Sequence, residues 1–143
     1  MVDRGLVLRK LSELDTYLNQ VREYAALKVS QYRKDWRTQR IVERTLQIMI
    51  EECVDIAGHI ISDQKLRVPA SYADSFRVLH EHGILKEDLC RRLEKMSKFR
   101  NLLVHHYDKI DPEIIIGILK KGLMDFEKFK KSILVFLEKQ KTI

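Results

Sequence analysis

Apolar side chains recur every three or four residues along most of this chain, and no other sequence feature constrains its fold as strongly. That spacing places the apolar residues on one face of an α-helix, whereas strict alternation would indicate a strand. Five glycines and two prolines in 143 residues leave few positions that would interrupt a helix. The sequence therefore predicts an all-α fold, a bundle of four long helices and one short helix that forms a single domain over residues 1–143.

The helix-breaking residues divide this pattern into five segments. Pro69 disfavours helical geometry in the residue before it, and Gly83 is a typical stop after the short helix. The pair Asp111-Pro112 combines a capping side chain with a proline suited to the first helical position. A polar, basic stretch over residues 28–34 loosens the apolar pattern. The expected helices span about 3–27, 35–63, 72–82, 86–106 and 111–139.

Net charge, hydropathy and cysteine content indicate the cellular compartment and the kind of partner, but not the function. The 27 basic and 21 acidic residues give a net charge of +6, which is compatible with a polyanionic partner such as RNA but does not require one. No run of about 18 apolar residues occurs and no secretory signal is visible, so we expect no membrane span. Cys53 and Cys90 fit no metal-binding spacing and indicate a reduced, cytoplasmic setting.

The end of the fourth helix collects residue types that suit phosphodiester chemistry. At about 100° per residue, Arg100, Asn101 and His105 share a polar arc, and Tyr107 returns to within about 20° of Arg100 if the helix continues that far. An arginine can bind phosphate with two donors, and a histidine can exchange protons near neutral pH. A ribose 2′-hydroxyl as the internal nucleophile would make the substrate RNA. These residues also fit a structural role, because cationic side chains commonly bind the last carbonyls of a helix.

Three separated segments strengthen the functional interpretation. They are residues 46–61 (LQIMIEECVDIAGHII), 69–76 (PASYADSF) and 99–107 (FRNLLVHHY), the last followed by a helix restart at Ile110-Asp111. The third segment reads arginine, four residues, histidine, one residue, tyrosine. In their order and spacing these segments resemble the HepT-like branch of the HEPN-domain ribonuclease toxins.

The resemblance implies an all-helical HEPN bundle that forms a homodimer, with two copies of the motif at a shared cleft. It also implies metal-independent endoribonuclease activity without a cofactor. Arg100 would bind or polarise the scissile phosphate, His105 would act as acid and base, and Asn101 would orient one of them. The RNA, transfer RNA or messenger RNA, is not specified by the sequence.

The resemblance further implies a partner and a mode of regulation. HepT-like toxins are usually paired, in type VII-like toxin–antitoxin systems, with a small nucleotidyltransferase antitoxin. That antitoxin adds AMP to the motif tyrosine, here Tyr107. The added phosphate would block the RNA and neutralise the charge of Arg100.

Several alternatives stay open. Broader HEPN patterns allow four to six residues between the arginine and the histidine, so His106 also qualifies, although only His105 keeps the one-residue gap to Tyr107. The alternative function is a non-catalytic HEPN protein that binds a nucleotide or its nucleotidyltransferase partner. Asp55 and His59, on the second helix, and His106 could line the cleft.

Other polar residues have a structural interpretation beside the functional one. Glu52, Asp55 and His59 could share a face and form half of a metal site, but no second half is present, so we expect no metal. A run of basic residues on the fourth helix forms either a solvated face or a binding surface for RNA. Two aromatic residues near the start of the second helix either stack on bases or pack between helices. The residues concerned are Arg91, Arg92, Lys95 and Lys98 for the face, and Tyr32 and Trp36 for the aromatic pair.

Overall fold

The computed structural model describes residues 2–141, and its regular structure in that range is entirely helical. A 3₁₀ turn at Tyr107–Lys109 follows the fifth helix, and a π-helical segment at Ile118–Gly122 joins the last two helices into one continuous rod. No helix within these residues is long and apolar enough to cross a membrane. The helices are α1 (Arg4–Arg22), α2 (Val29–Lys34), α3 (Trp36–Asp63), α4 (Tyr72–Glu81), α5 (Glu87–His105), α6 (Pro112–Gly117) and α7 (Leu123–Lys141).

Contacts between helices give the directions of the long helices. The backbone N–H of Asp3 donates to Asp63 at 3.1 Å, and Lys10 pairs with Asp55 at 2.5 Å, so α1 and α3 run antiparallel. Two other packed pairs also run antiparallel, because residue numbers rise along one helix as they fall along its neighbour. The contacts are Arg4–Glu138 and Asp15–Lys130 between α1 and α7, and Arg100–Glu51 and Tyr107–Arg40 between α3 and the end of α5. The long helices therefore form an up-and-down bundle.

The apolar stripes read from the sequence meet in one core. Val7, Leu14 and Leu18 of α1 are each at most 1% exposed, and the stripes of α3, α5 and α7 are buried with them. Phe76 of α4 contacts Phe129 of α7 edge to face, with ring centroids 6.0 Å apart. Burial of these stripes is the main stabilising contribution, since each large apolar side chain removed from water contributes about 1.5–3 kcal/mol.

The chain between α1 and α3 differs from the prediction. The first helix was expected to reach residue 27 but ends at Arg22, and the basic stretch after it contains the short helix α2. That helix is anchored by Tyr32, which is 1% exposed, and the Gln39 amide caps it by donating to the Tyr32 carbonyl at 2.8 Å. The Gln31 side chain accepts from the backbone N–H of Lys28 at 2.9 Å. Tertiary burial of one aromatic ring thus imposes a helix where the local apolar pattern is weak.

Carboxyl groups also meet at the α1–α3 interface. Burial, and then the neighbouring Glu13 carboxyl, raise the pKa of Glu52 to about 7, while Lys10 opposes the shift. One carboxyl oxygen of Glu52 is buried without a hydrogen-bond partner. A proton on Glu52 therefore favours the folded chain.

We expect Phe129→Ala to lower the free energy of unfolding by about 3–5 kcal/mol, because it opens a cavity and removes the contact with Phe76. The matched control on the same helix is Met124→Ala, whose side chain is 61% exposed and should change stability by less than about 0.5 kcal/mol. Urea denaturation followed by circular dichroism measures both. Similar losses in the two variants would contradict this description of the core.

We expect the stability difference between wild type and Glu52→Gln to depend on pH. The folded-state pKa of Glu52 lies above its unfolded value, so the stabilisation from its proton is complete below the unfolded pKa and is lost as the pH rises through about 7. The wild type should therefore lose stability relative to the variant between about pH 5 and about pH 8. Glu23→Gln, which removes an exposed carboxylate, is the control. A difference that is constant with pH would disprove this effect.

Candidate active site

The end of α5 determines where each residue of the motif lies. The helix ends at His105, one residue before the predicted end at His106, and the backbone of His106 leaves helical geometry with φ −140° and ψ 41°. The N–H of His106 still bonds to the Leu102 carbonyl at 2.9 Å, while its own carbonyl accepts from Lys109 at 2.9 Å in the 3₁₀ turn. The motif is thus divided between a regular helix and the turn that follows it.

Arg100 projects toward α3 and α4. Its guanidinium lies 3.5 Å from a carboxylate oxygen of Glu51 and 5.1 Å from the centre of the Tyr72 ring, and 17% of its side chain is exposed. Its Nε is buried without a hydrogen-bond partner. The predicted polar arc of the helical wheel did not include these partners: an anion and a ring on neighbouring helices hold this cation at the edge of the core.

Two amide side chains support this arrangement. The Gln47 amide donates to Glu51 at 2.8 Å, one helical turn earlier on α3, and so orients the carboxylate that faces Arg100. Arg100 Nη1 donates to the Asn101 side-chain oxygen at 3.3 Å. Asn101 thus contacts the residue that the sequence predicts it to orient; its role in catalysis stays a prediction.

His105 and His106 both lie at the surface. His105 is the last residue of α5, and His106 is the first residue outside it. Within residues 2–141, no hydrogen bond or ion pair joins Arg100 to either imidazole. The structure therefore brings a fixed cation and two accessible imidazoles to the same helix end, without selecting one histidine.

Tyr107 begins the 3₁₀ turn and lies against α3. Its side chain is 58% exposed, and the guanidinium carbon of Arg40 lies 5.7 Å from its ring centre. Arg40 Nη1 donates to the two carboxylate oxygens of Glu43 at 3.1 and 3.3 Å. The phenol is thus open to solvent and next to a cation of a different helix.

A groove of about 720 Å³ runs beside Arg100 between α3 and the segment that leads into α4. Asp55, one of the two residues predicted to line a cleft on α3, lines this groove and is ion-paired with Lys10 at 2.5 Å. His59 lies 3.8 Å from Asp55 but is not part of the lining. Within residues 2–141 no group of three His, Cys, Asp or Glu side chains is arranged to hold a metal ion. The lining residues are Ile48, Glu51, Glu52, Val54, Asp55, Gly58, Pro69, Ala70, Ser71, Tyr72 and Ser75.

The charged residues on the exposed face of α3 are segregated. Arg37, Arg40 and Arg44 recur at three- and four-residue steps in its N-terminal half, and Glu51 and Asp55 continue the same face toward its C-terminus. The basic half adjoins Tyr107, and the acidic half adjoins Arg100.

The other candidate residues are largely used by the fold. Arg92 pairs with Asp125 of α7 and so links two helices, whereas Arg91 pairs with Glu87 within α5, and Lys95 and Lys98 are exposed. Tyr32 is 1% exposed, so its ring cannot stack on a nucleic-acid base in the folded chain. Burial also raises the pKa of its phenol. Trp36 is 64% exposed beneath Arg37.

Sequence reasoning missed three residues that touch the motif. Glu51 and Tyr72 lie within the segments that carry the family resemblance, yet their contact with Arg100 is a tertiary feature. Arg40 lies outside those segments, and no local pattern marked it. The three segments, separate in the sequence, meet at Arg100.

Comparison with known proteins finds relatives with the same fold. The chain is 37% identical over 100 residues to the mRNA nuclease HepT of Shewanella oneidensis, and the aligned region covers 70% of this chain and 75% of that protein. It is 29% identical over 138 residues to the tRNA nuclease HepT of Aphanizomenon flos-aquae, which covers 95% and 92% respectively. A solved structure of the tri-AMPylated S. oneidensis HEPN toxin in complex with MNT antitoxin superposes with a TM-score of 0.85 at 30% identity, over 94% of this chain and 99% of that one.

A family model described as ribonuclease HepT-like matches residues 14–133. The matched region contains the three segments predicted to carry the resemblance, and the fold is all-helical as that resemblance implied. The chain belongs to the HepT-like ribonuclease family.

Proposed function

We propose that this protein is an endoribonuclease toxin of a type VII-like toxin–antitoxin system, acting in the cytoplasm. The observation that carries the proposal is the convergence on Arg100 of the three family segments, next to two accessible imidazoles. The nuclease activity of the two HepT relatives favours catalysis over a role in binding alone.

The chemistry follows from the residues at the end of α5. Arg100 binds a non-bridging oxygen of the scissile phosphate and stabilises the charge that grows there in the transition state. His105 removes the proton of the 2′-hydroxyl, whose oxygen attacks the adjacent phosphorus as the bond to the 5′-oxygen breaks. The imidazole then returns a proton to the leaving oxygen, so the products are a 2′,3′-cyclic phosphate and a 5′-hydroxyl end. Cation and imidazole supply both functions without a metal ion.

The charges around Arg100 indicate the side from which RNA approaches. The groove beside it is lined by the carboxyl groups of Glu51, Glu52 and Asp55, and its lining within residues 2–141 includes no basic side chain, so it offers a phosphate backbone no cationic contact of its own. The exposed imidazoles and the basic half of α3 lie toward the end of α5. The strand therefore crosses the end of α5, and the phosphate competes with Glu51 for Arg100.

Neutralisation by a nucleotidyltransferase antitoxin completes the proposal, supported by the AMP-modified toxin in the S. oneidensis complex. In the transfer step the Tyr107 oxygen attacks the α-phosphorus of ATP, a bond forms between them, and the bond from that phosphorus to the oxygen bridging the α- and β-phosphates breaks. Pyrophosphate leaves, and the phenol proton passes to solvent. The exposure of Tyr107 makes it accessible to a second protein.

We further propose that residues 1–143 act as one domain within a homodimer. One continuous core supports the single domain, since it includes residues from Val2 to Leu137. Exposed Leu102 and Ile41 near the motif provide apolar area for a second copy, which would bring two motifs together.

We expect His105→Ala to lower the rate of RNA cleavage by roughly 10²–10⁴-fold, the usual contribution of an acid–base residue. His82→Ala is the matched control, because His82 is also exposed at a helix end but lies beyond α4. Cleavage of a labelled RNA pool, with a chelator present, measures the rates.

His106→Ala is assayed in parallel to decide between the two imidazoles. A large loss in His106→Ala with normal activity in His105→Ala would transfer the acid–base role to His106. Full activity in both variants would disprove histidine catalysis at this site.

We expect co-expression with the cognate nucleotidyltransferase to add AMP to Tyr107 and to abolish cleavage. Tyr107→Phe should gain no AMP and should stay toxic in the presence of the transferase, because phenylalanine has no acceptor oxygen. Peptide mass spectrometry and growth curves measure the two effects. Modification of another residue, or relief of toxicity in Tyr107→Phe, would contradict the proposed regulation.

A further inference from the structure

Arg40 is held beside Tyr107 by contacts that leave part of its guanidinium free. Its Nη1 bonds to Glu43, whose side chain is 12% exposed and so forms a fixed anchor, while the Arg40 side chain is 51% exposed. Within residues 2–141, Nε and Nη2 of Arg40 have no hydrogen-bond partner. These two nitrogens form one edge of the planar group, the edge that binds two phosphate oxygens at once.

The guanidinium carbon of Arg40 lies 5.7 Å from the centre of the Tyr107 ring, so the free edge of this planar group lies near the ring. A phosphodiester formed on the phenol oxygen begins one bond beyond the ring. It would therefore lie within reach of the half-exposed Arg40 side chain without rearrangement of α3 or the 3₁₀ turn. The carboxylate of Glu43 keeps the guanidinium from swinging away into solvent.

We propose that Arg40 is the binding site for the phosphate of AMP attached to Tyr107, and so positions the modification over the end of α5. The inference rests on the proposed AMP transfer to Tyr107. In the unmodified chain the guanidinium covers the ring face; after modification it moves to the phosphate, a stronger partner because it carries a full negative charge. The nucleotide is thereby held against the protein instead of extending into water.

The test measures how well the attached nucleotide is protected. The wild type, Arg40→Ala and Arg40→Lys are modified by the cognate nucleotidyltransferase, purified, and treated with a trace of phosphodiesterase that releases AMP from tyrosine. Release from Arg40→Ala should be about tenfold faster than from the wild type, the effect of one charge-assisted hydrogen-bonded contact. Arg40→Lys should be intermediate, since it keeps the charge and loses the two-pronged edge.

Arg37→Ala is the matched control, because it removes the same charge from the same helix face while its guanidinium lies over Trp36. Release from this variant should match the wild type. Equal rates in the wild type and Arg40→Ala, or equal acceleration in Arg37→Ala and Arg40→Ala, would overturn the assignment of Arg40 while leaving the modification of Tyr107 intact. A wild type that gains no AMP at all would overturn this inference together with the proposed regulation.

Discussion

A guanidinium that is largely removed from water needs compensating partners, and this requirement links three helices at the edge of the core. Arg100 on α5 finds an anion on α3, Glu51, and an aromatic face on α4, Tyr72. Loss of either partner would leave a partly buried charge without compensation, which is costly even where the ion pair itself contributes little net stability. The register of three helices is therefore tied to the position of one catalytic candidate.

This arrangement divides the motif into a fixed part and an accessible part. Arg100 is held by surrounding side chains before any substrate arrives, so its charge is already oriented when the phosphate binds. The two imidazoles and the phenol lie at or beyond the last turn of α5, where solvent and other proteins can reach them. In the proposed mechanism, electrostatic stabilisation would come from a cation held at the edge of the core, and proton transfer and regulation would come from residues at the surface.

The sequence was a good guide where local chemistry decides the structure. Helical periodicity predicted α3 and α4 closely, and Asp111 caps α6 as expected, with its side chain accepting from the Glu113 N–H at 2.9 Å. It was a poor guide where distant contacts decide. The short helix α2 depends on the burial of Tyr32, and the direction of Arg100 depends on Glu51. No rule based on residue spacing contains either contact.

The candidate site, too, was predictable in part only. The family resemblance identified the motif residues, and these residues lie together at one helix end. The partners of the motif, Glu51, Tyr72 and Arg40, come from two other helices, and their contacts with it arise only when the bundle assembles. The end of α5 was predicted one residue too late, because the change in backbone direction occurs at a histidine and not at a glycine or proline.

The segregation of charge along α3 has a consequence for encounters in solution. Three arginines lie at one end of its exposed face, and the two carboxylates at the other end are paired with Arg100 and Lys10, so the surface along the helix is most positive at the arginine end. A long polyanion that drifts within about 8 Å, the screening distance in physiological salt, experiences a torque as well as an attraction. The polyanion is therefore oriented toward the arginine end before any specific contact with the protein forms.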